Sequence, residues 1–275
     1  MPSNCIGEVI IDQLSLSQEF EALWSLQFSD TYKEFICGRW RSCALWNESG
    51  TTEDVRIRNY VGRAKKTKAG DALPYINSII EKNFDMDSLR FCRLVMLEPG
   101  SVVLPHRDYL ELKNHLVRLH IPLVTDLNCF NSEEQVVHHL SQGEVWYLDA
   151  SIIHSAGCFS KNTRVHIILD FFECKSLNEI FYNYANEPRT ISIENREPLS
   201  SEVEDALLGL SSIVNEYNFY DVLAVLAKQH FKTKVPLCDF YYYLEKIADQ
   251  SGDEWVINKA RWLREYCLAE RATVE

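Results

Sequence analysis

What the sequence lacks narrows its class. Across 275 residues no stretch approaches eighteen uninterrupted apolar positions, so no transmembrane helix is expected. The first eleven residues have neither the basic start nor the apolar middle of a secretory signal, and the expectation is a soluble cytoplasmic protein. Cysteine occurs nine times, an odd number, and no two form a Cys-x-x-Cys pair. That argues against a disulfide framework and a thiolate zinc site, leaving reduced thiols. Positive charge is scarce, 28 Lys and Arg against 40 Asp and Glu, for a formal net charge of -12. Without a phosphate-neutralising surface, neither nucleic acid nor anionic membrane is an expected partner. The one basic cluster, Arg56, Arg58, Arg63, Lys65, Lys66 and Lys68, reads either as a solvated loop or as a lid at an active-site mouth. No internal repeat, no low-complexity segment and no alternation of strand and helix is present, so a parallel sheet is disfavoured.

What is present is enough for a full core: 46% of residues are hydrophobic and 12% aromatic. Short apolar runs at 6–11, 39–46, 89–97, 101–106, 116–124, 144–148 and 164–172 read as strands. Turn signals at Glu98-Pro99-Gly100-Ser101 and Gln142-Gly143 separate successive runs. The capping box Ser15-Leu16-Ser17-Gln18 predicts a helix over 15–28, and Pro74 suits the first turn of one running to 84. This pattern predicts a mainly β closed antiparallel sandwich or barrel. After a polar connection over 183–198 the period becomes helical. Val203, Ala206, Leu207, Leu210, Ile213, Val214 and Tyr217 share one stripe, expected to be buried, and further helices are expected over 220–231, 236–249 and 254–271. The expected division is a β domain over 1–178 and an α-helical domain over 179–275.

The residues that carry chemistry are His106 and Asp108, then His154, then Arg164. Two imidazoles and one carboxylate cap one face of an octahedral iron(II) and leave three adjacent positions for substrate and dioxygen. His-x-Asp alone is weak, because eight His and fifteen Asp in this chain give roughly 0.4 chance matches. Context strengthens it. His106 and Asp108 sit at a strand end, where i and i+2 share a side. Arg164 opens an apolar strand, and a guanidinium turned into a barrel costs several kcal/mol, as an order of magnitude, unless a carboxylate meets it. A dicarboxylate co-substrate would supply that partner bidentately. Arg118 and His120 share another strand face, where their alternative role is an internal ion pair with a barrel acid. Arg93 lies on one side of its strand with Val95 and Leu97, a combination suited to a small apolar substrate carrying a carboxylate. The His138-His139 pair reads as surface, and His115 and His230 receive no role.

With those residues in hand, the chain resembles the iron(II)/2-oxoglutarate-dependent L-proline cis-hydroxylases, the cis-4 branch first and the cis-3 branch next, within the aspartyl/asparaginyl hydroxylase-like group. The resemblance rests on Phe35-Ile36-Cys37-Gly38-Arg39-Trp40, Pro105-His106-Arg107-Asp108-Tyr109-Leu110-Glu111-Leu112, Gly143-Glu144-Val145-Trp146-Tyr147-Leu148-Asp149-Ala150 and His154-Ser155-Ala156-Gly157-Cys158-Phe159. It continues around 219–231 and 269–272 and so covers nearly the whole chain. It implies a double-stranded β-helix, or cupin-type jelly roll, with a C-terminal helical domain. It implies His106, Asp108 and His154 as iron(II) ligands, Arg164 on the distal carboxylate of 2-oxoglutarate, and His120 with Arg118 beside the co-substrate. The same resemblance leaves a second role open to Arg118, holding the substrate carboxylate. Arg93, Val95, Leu97 and Trp40 are the expected substrate-binding residues, and apolar departures at Val95, Met96 and Leu97 bear on ring size and on which carbon reacts.

The implied activity is hydroxylation of a ring carbon of free L-proline or L-pipecolate with dioxygen, giving succinate and carbon dioxide as coproducts. The partner is then a small imino acid. Asp108 argues for hydroxylation over halogenation, since halogenating relatives lack the carboxylate ligand. Three other readings stand beside it: a hydroxylase of another free or peptidyl amino acid, a zinc or manganese cupin with hydrolytic or isomerase activity, and a non-catalytic ligand-binding barrel.

Overall fold

The computed structural model describes residues 3–110, 112, 116–172, 175–189, 192–193 and 195–269. Among these, the strands are β1 Asn4–Glu8, β2 Ile36–Cys37, β3 Trp40–Asn47, β4 Lys65–Lys66, β5 Leu89–Leu97, β6 Val102–His106, β7 Leu116–Val124, β8 Cys129–Glu133, β9 Val136–His138, β10 Glu144–Leu148, β11 His154–Cys158, β12 Arg164–Phe172 and β13 Tyr184–Arg189. The helices are α1 Gln13–Ser25, α2 Lys68–Asp71, α3 Pro74–Asn83, α4 Leu177–Ile180, α5 Ser201–Leu208, α6 Phe219–Lys232, α7 Asp239–Ser251 and α8 Glu254–Leu268.

Strands β5 to β12 form two facing sheets. The larger has the order β13-β1-β10-β7-β12-β5-β3-β4 and the smaller β2-β6-β11-β8-β9. The first and last strands of the set, β5 and β12, pair antiparallel from Arg164 opposite Leu97 to Phe171 opposite Leu89. Closing the chain back onto its own first strand in this way makes a jelly roll, the double-stranded β-helix. The turn from β5 to β6 depends on Gly100, whose φ of +78° suits a residue without a side chain.

Alternation along the large sheet sorts its two faces. On β12, Val165, Ile167, Leu169 and Phe171 join a core with Leu16 and Leu23 of α1 and Ile76 and Ile80 of α3. Each such side chain contributes about 1.5–3 kcal/mol by leaving water. The intervening Arg164, His166, Ile168 and Asp170 are also buried, turned toward the small sheet. The same rule sends Leu119 and Ile121 of β7 outward and Arg118 and His120 inward. The outer face of the small sheet is covered by the C-terminal helices: Leu223 of α6, Leu244 and Ile247 of α7 and Leu263 of α8 share a core with Val102 and Leu104 of β6. The C-terminal segment therefore roofs the strand that ends at His106.

Several expectations change. Helix α1 begins at Gln13, capped by Asp12, whose Oδ1 accepts the Ser15 amide at 2.8 Å. The carboxylate supersedes the Ser15 box, which falls inside the first turn, and the helix stops at Ser25. Strand β1 starts earlier than expected, with a register shift between Cys5 and Gly7. The stripe over 203–217 is largely uncovered. Only Leu207 and Val214 of it are buried, while Ile213 is 58% and Tyr217 89% exposed, because α5 ends at Leu208 and the chain turns through a 3-10 segment. The polar connection contains β13, an extra edge strand against β1. His138 is not on the surface. It is buried, its ring 5.2 Å from that of Trp146, because β9 turns it toward the interior. The eight cysteines within the described residues are all free. His115, Glu111, Cys174 and the positions from 270 onward lie outside the described residues.

Candidate active site

His106 ends β6 and His154 begins β11. These strands are antiparallel neighbours with His154 directly opposite His106, so the rings meet with centroids 4.2 Å apart. Asp108 follows two residues later, its amide N–H donated to the Ala150 carbonyl at 2.8 Å. Its carboxylate oxygens lie 3.6 Å from His106 Nε2 and 3.4 Å from His154 Nε2. One donor atom from each residue falls within 4.8 Å of the other two. A carbonyl only accepts, so His106 donates Nδ1–H to Leu104 at 2.8 Å and His154 donates Nδ1–H to Ile152 at 2.9 Å. Both Nε2 atoms then carry the lone pair in the neutral rings, the tautomer that metal coordination needs. Phe35 stacks on His106 at 4.5 Å and limits how the ring can turn.

Behind the carboxylate stands a buried ion network. Arg118 donates Nη1–H to Asp108 and reaches Asp170 through Nε at 2.7 Å and Nη2 at 3.3 Å. Tyr109 donates its hydroxyl to the same Asp170 at 2.7 Å. Burial by itself would raise the Asp108 carboxyl, but the Arg118 guanidinium outweighs it, and the group is held well below the ordinary carboxylate range. Arg118 in turn, though buried, is driven well above its ordinary value by Asp108 and Asp170. Its guanidinium is thus committed to two acids. Of the roles open to Arg118 in the sequence, the internal ion pair is the one its contacts match, and the expectation that it binds the co-substrate or the substrate carboxylate gives way to it.

Arg164 is the opposite case. It is buried, and its guanidinium donates Nε–H to His166 Nε2 at 2.9 Å and Nη2–H to the Asn131 carbonyl oxygen, both neutral acceptors. No carboxylate among the described residues pairs with it, and burial pulls its proton affinity down to about 10. Arg93 is a second such cation, with Nε and Nη1 buried and lacking hydrogen-bond partners among the described residues; Trp40 packs over its guanidinium at 5.6 Å. His120 and His166 are held well below the ordinary imidazole range, first by burial and then by Arg118 and Arg164 respectively, so both are neutral.

These groups open on one cavity of about 830 Å3 between the sheets, including its mouth, shared by His106, Asp108, His154, Arg93, Arg164 and His120. Trp40, Val95, Ile57 and Ile168 supply apolar wall. Leu97, expected to join them, instead packs with the helical core beside Phe35 and Val102. Ile57, between Arg56 and Arg58, brings the start of the basic cluster into the wall. The cluster itself is tied down in part, by Arg63 to Asp87 at 2.8 Å and Lys66 to Glu81 at 2.6 Å.

Comparison with known proteins agrees with this geometry. Residues 10–173 match the Aspartyl/Asparaginyl beta-hydroxylase model and residues 178–275 the model of the C-terminal part of L-proline 3-hydroxylase. The L-proline cis-4-hydroxylase of Rhizobium meliloti (strain 1021) is 35% identical over 273 residues, covering 98% of this chain and 97% of that one. L-proline cis-3-hydroxylases 1 and 2 of Streptomyces sp are 31% and 32% identical, each over 100% of this chain and 98% of its own length. The chain belongs to the L-proline hydroxylase family. It is an enzyme of the dioxygenase class.

In this family member, four polar residues of the site escaped sequence reasoning: Tyr109, Asn131, His166 and Asp170. Asn131 lies on β8, a strand too polar to stand out. His166 had a visible signal, since Arg164-Val165-His166 repeats the Arg-x-His spacing that drew attention to Arg118 and His120.

Proposed function

We propose that the protein is an iron(II)- and 2-oxoglutarate-dependent dioxygenase that hydroxylates a ring carbon of a free cyclic imino acid, L-proline at a cis-4 or cis-3 position or its six-membered homologue L-pipecolate. One observation carries the reading: a buried guanidinium with neutral neighbours, Arg164, shares a cavity with a His-Asp-His cluster whose imidazoles both present Nε2. The donor set fits a divalent iron, with two nitrogens and one carboxylate on one side and the cavity on the other.

In this reading His106, Asp108 and His154 hold the iron, which when bound supplies dioxygen activation coupled to conversion of 2-oxoglutarate into succinate and carbon dioxide. Arg118 grips one carboxylate oxygen of Asp108, keeping the group ionised and oriented. Arg164 receives the distal carboxylate of the co-substrate in the bidentate geometry its planar fork favours, and Asn131 and His166 hold the fork in place. His120, neutral and lining the same cavity, lies beside it. Arg93 takes the carboxylate of the imino acid, so the ring methylenes face the apolar wall of Trp40, Val95, Ile57 and Ile168. Position does the selecting: the ring carbon presented toward His106 and His154 is the one that reacts. The relatives' names, L-proline cis-4- and cis-3-hydroxylase, support proline as substrate.

Two cations awaiting two carboxylates weigh against a hydrolytic metal cupin and against a peptide substrate, whose internal residues carry no free carboxylate for Arg93. The test is incubation of the iron(II)-loaded protein with 2-oxoglutarate and a panel of L-proline, L-pipecolate, acyclic amino acids and a proline-containing peptide, followed by NMR assignment of the hydroxylated carbon. Succinate formed in step with a hydroxylated imino acid is the expected result. Turnover only with the peptide, or metal-dependent chemistry without 2-oxoglutarate, refutes it.

A further inference from the structure

The cavity floor rests on a feature that the hydroxylation chemistry does not use. Cys129 of β8 and Cys158 of β11 are directly opposite in register, both buried, with sulfurs 3.9 Å apart. The next pair along, Asn128 and Phe159, is hydrogen-bonded through Phe159 N–H to the Asn128 carbonyl at 2.8 Å, while the Cys129 and Cys158 amides donate elsewhere, to Asp126 and Ser101. That makes the cysteines a non-hydrogen-bonded pair, the antiparallel position where Cα atoms approach to about 4.5 Å. A disulfide spans Cα separations of about 4.4–6.8 Å. We propose that Cys129 and Cys158 are a modification site, a dithiol that hydrogen peroxide converts reversibly into a cross-strand disulfide beneath Arg164.

Electrostatics supports the assignment of roles. A hydrogen bond from the Cys129 thiol, aided by backbone N–H groups of Arg164 and Ser160, brings the Cys158 thiol down to about 6 despite burial. Burial pushes Cys37 and Cys43 up to about 12 and Cys92 well above its ordinary range, so these three are poor nucleophiles. Cys158 ionises by giving its proton to water in the cavity; the thiolate attacks one peroxide oxygen, the S–O bond forms, the O–O bond breaks and hydroxide leaves, taking the Cys129 proton to become water. The Cys129 thiolate then attacks the Cys158 sulfenic sulfur, forming S–S, breaking S–O and expelling hydroxide, which takes up the proton that Cys158 released and becomes the second water. Two thiols and one peroxide give one disulfide and two waters. The cavity approaches the pair most nearly at Asn131 and Ala156, the next same-face residues on the two strands, which line it, and peroxide reaches the buried sulfurs past them. Bringing the sulfurs from 3.9 Å to a bond of about 2.05 Å turns both side chains and locks β8 to β11 two residues from Asn131, which supports Arg164. Resting on the co-substrate role proposed for Arg164, oxidation is expected to raise the KM for 2-oxoglutarate severalfold and reduction to restore it.

The experiment uses the full chain, reduced, freed of reductant, treated with a small excess of peroxide, then unfolded in N-ethylmaleimide and mapped by mass spectrometry. The expected product is a peptide linking Cys129 to Cys158 that disappears on reduction, with Cys37, Cys43 and Cys92 alkylated. Cys158 recovered as sulfinic acid beside alkylated Cys129, or a cross-link between other cysteines, overturns the proposal. Cys129→Ser and Cys158→Ala each abolish the link, so either variant suffices if the other fails to fold. A link with unchanged KM overturns the coupling to Arg164. A reduced protein that makes no succinate sinks the co-substrate reading while leaving the peptide map decisive.

Discussion

Replacing Arg164 by Met separates the stability of the site from its use. A guanidinium pulled from its ordinary value above 12 to about 10 is penalised in the folded chain by roughly 3 kcal/mol at about 1.4 kcal/mol per pKa unit. The sign follows from linkage. The folded chain binds this proton less tightly than the unfolded chain, so the penalty is complete at neutral pH and fades only as pH rises through about 10. Arg164→Met removes it, but deprives Asn131 and His166 of a donor, at about 1–3 kcal/mol for each acceptor left unsatisfied. The ligand-free variant should therefore fall between about 1 kcal/mol more stable and about 3 kcal/mol less stable than the parent, whereas breaking a paired buried charge costs about 3–5 kcal/mol. The co-substrate changes the comparison. At a hundredfold excess over its Kd, 2-oxoglutarate adds about 2.7 kcal/mol to the parent, or roughly 5–10 °C in Tm for a chain near this size. Two charge-assisted hydrogen bonds are worth about 1.5–3 kcal/mol each, so the variant binds at least about a hundredfold more weakly and gains about 0.4 kcal/mol at the same concentration. Anaerobic scanning calorimetry of both proteins with iron(II), with and without 2-oxoglutarate, reads these values. An equal ligand-induced rise in both refutes the role of Arg164, and a loss of 5 kcal/mol or more (about the cost of breaking a buried pair) without ligand refutes the claim that it is unpaired.

The other predictions concern the network, the metal and a remote histidine. Asp170→Asn takes one carboxylate from the Arg118 and Tyr109 network and should cost about 3–5 kcal/mol in urea unfolding; a loss under about 1 kcal/mol, the scale of a surface pair, would contradict the network. Asp108→Ala should reduce iron content well below that of the parent by elemental analysis and abolish succinate formation, and retention of both would remove Asp108 from the ligand set. His230, its Nδ1–H donated to the Val235 carbonyl at 2.6 Å, is brought down to about 4, by burial above all. The unfolded chain takes up this proton near 6.5 and the folded chain only near 4, so stability is lost as pH falls through that window, by up to about 1.4 kcal/mol per unit. His230→Gln should flatten the pH slope there by about one proton. Iron(II) and 2-oxoglutarate should strengthen each other's binding by the same factor, which paired titrations by calorimetry measure; independent affinities would contradict the charge balance below.

The strands that a reader finds in this chain are those buried on both faces. β5, β7 and β12 alternate, but their inward Arg93, Arg118, His120 and Arg164 are few enough that the apolar face dominates the run. β8 and β9 escape notice because Asn131, Ser132 and His138 are polar residues buried by tertiary contact, a cost that local sequence does not display. The His-Asp-His cluster was legible because two of its members are i and i+2 at one strand end. That His154 joins them depends on β11 pairing with β6, a contact between distant segments. The partners of the arginines were less legible still. Arg118 and Arg164 read alike in sequence, each in an Arg-x-His pair on an apolar strand, and only the opposing residue distinguishes them: Asp170 and Asp108 for the first, Asn131 for the second.

That distinction sets the charge balance of the interior. Arg93, Arg118 and Arg164 bring three positive charges and Asp108 and Asp170 two negative ones, in a region where the imidazoles of His120 and His166 are neutral. The protein alone therefore leaves one positive charge in surroundings of low dielectric. A divalent metal by itself would raise this to three, which is unfavourable. On the proposed reading, a dicarboxylate arriving with the metal returns it to one, and the carboxylate of an imino acid then meets Arg93. The metal and the dicarboxylate therefore favour each other's binding, and the imino acid, a zwitterion, pairs its carboxylate with a buried cation without changing the total. Asp170 is what makes this possible. By binding the Nε side of Arg118, it leaves Nη1 for Asp108 and commits that guanidinium to two acids, so that on the proposed reading Arg164 and Arg93 are the cations that receive carboxylates, one each.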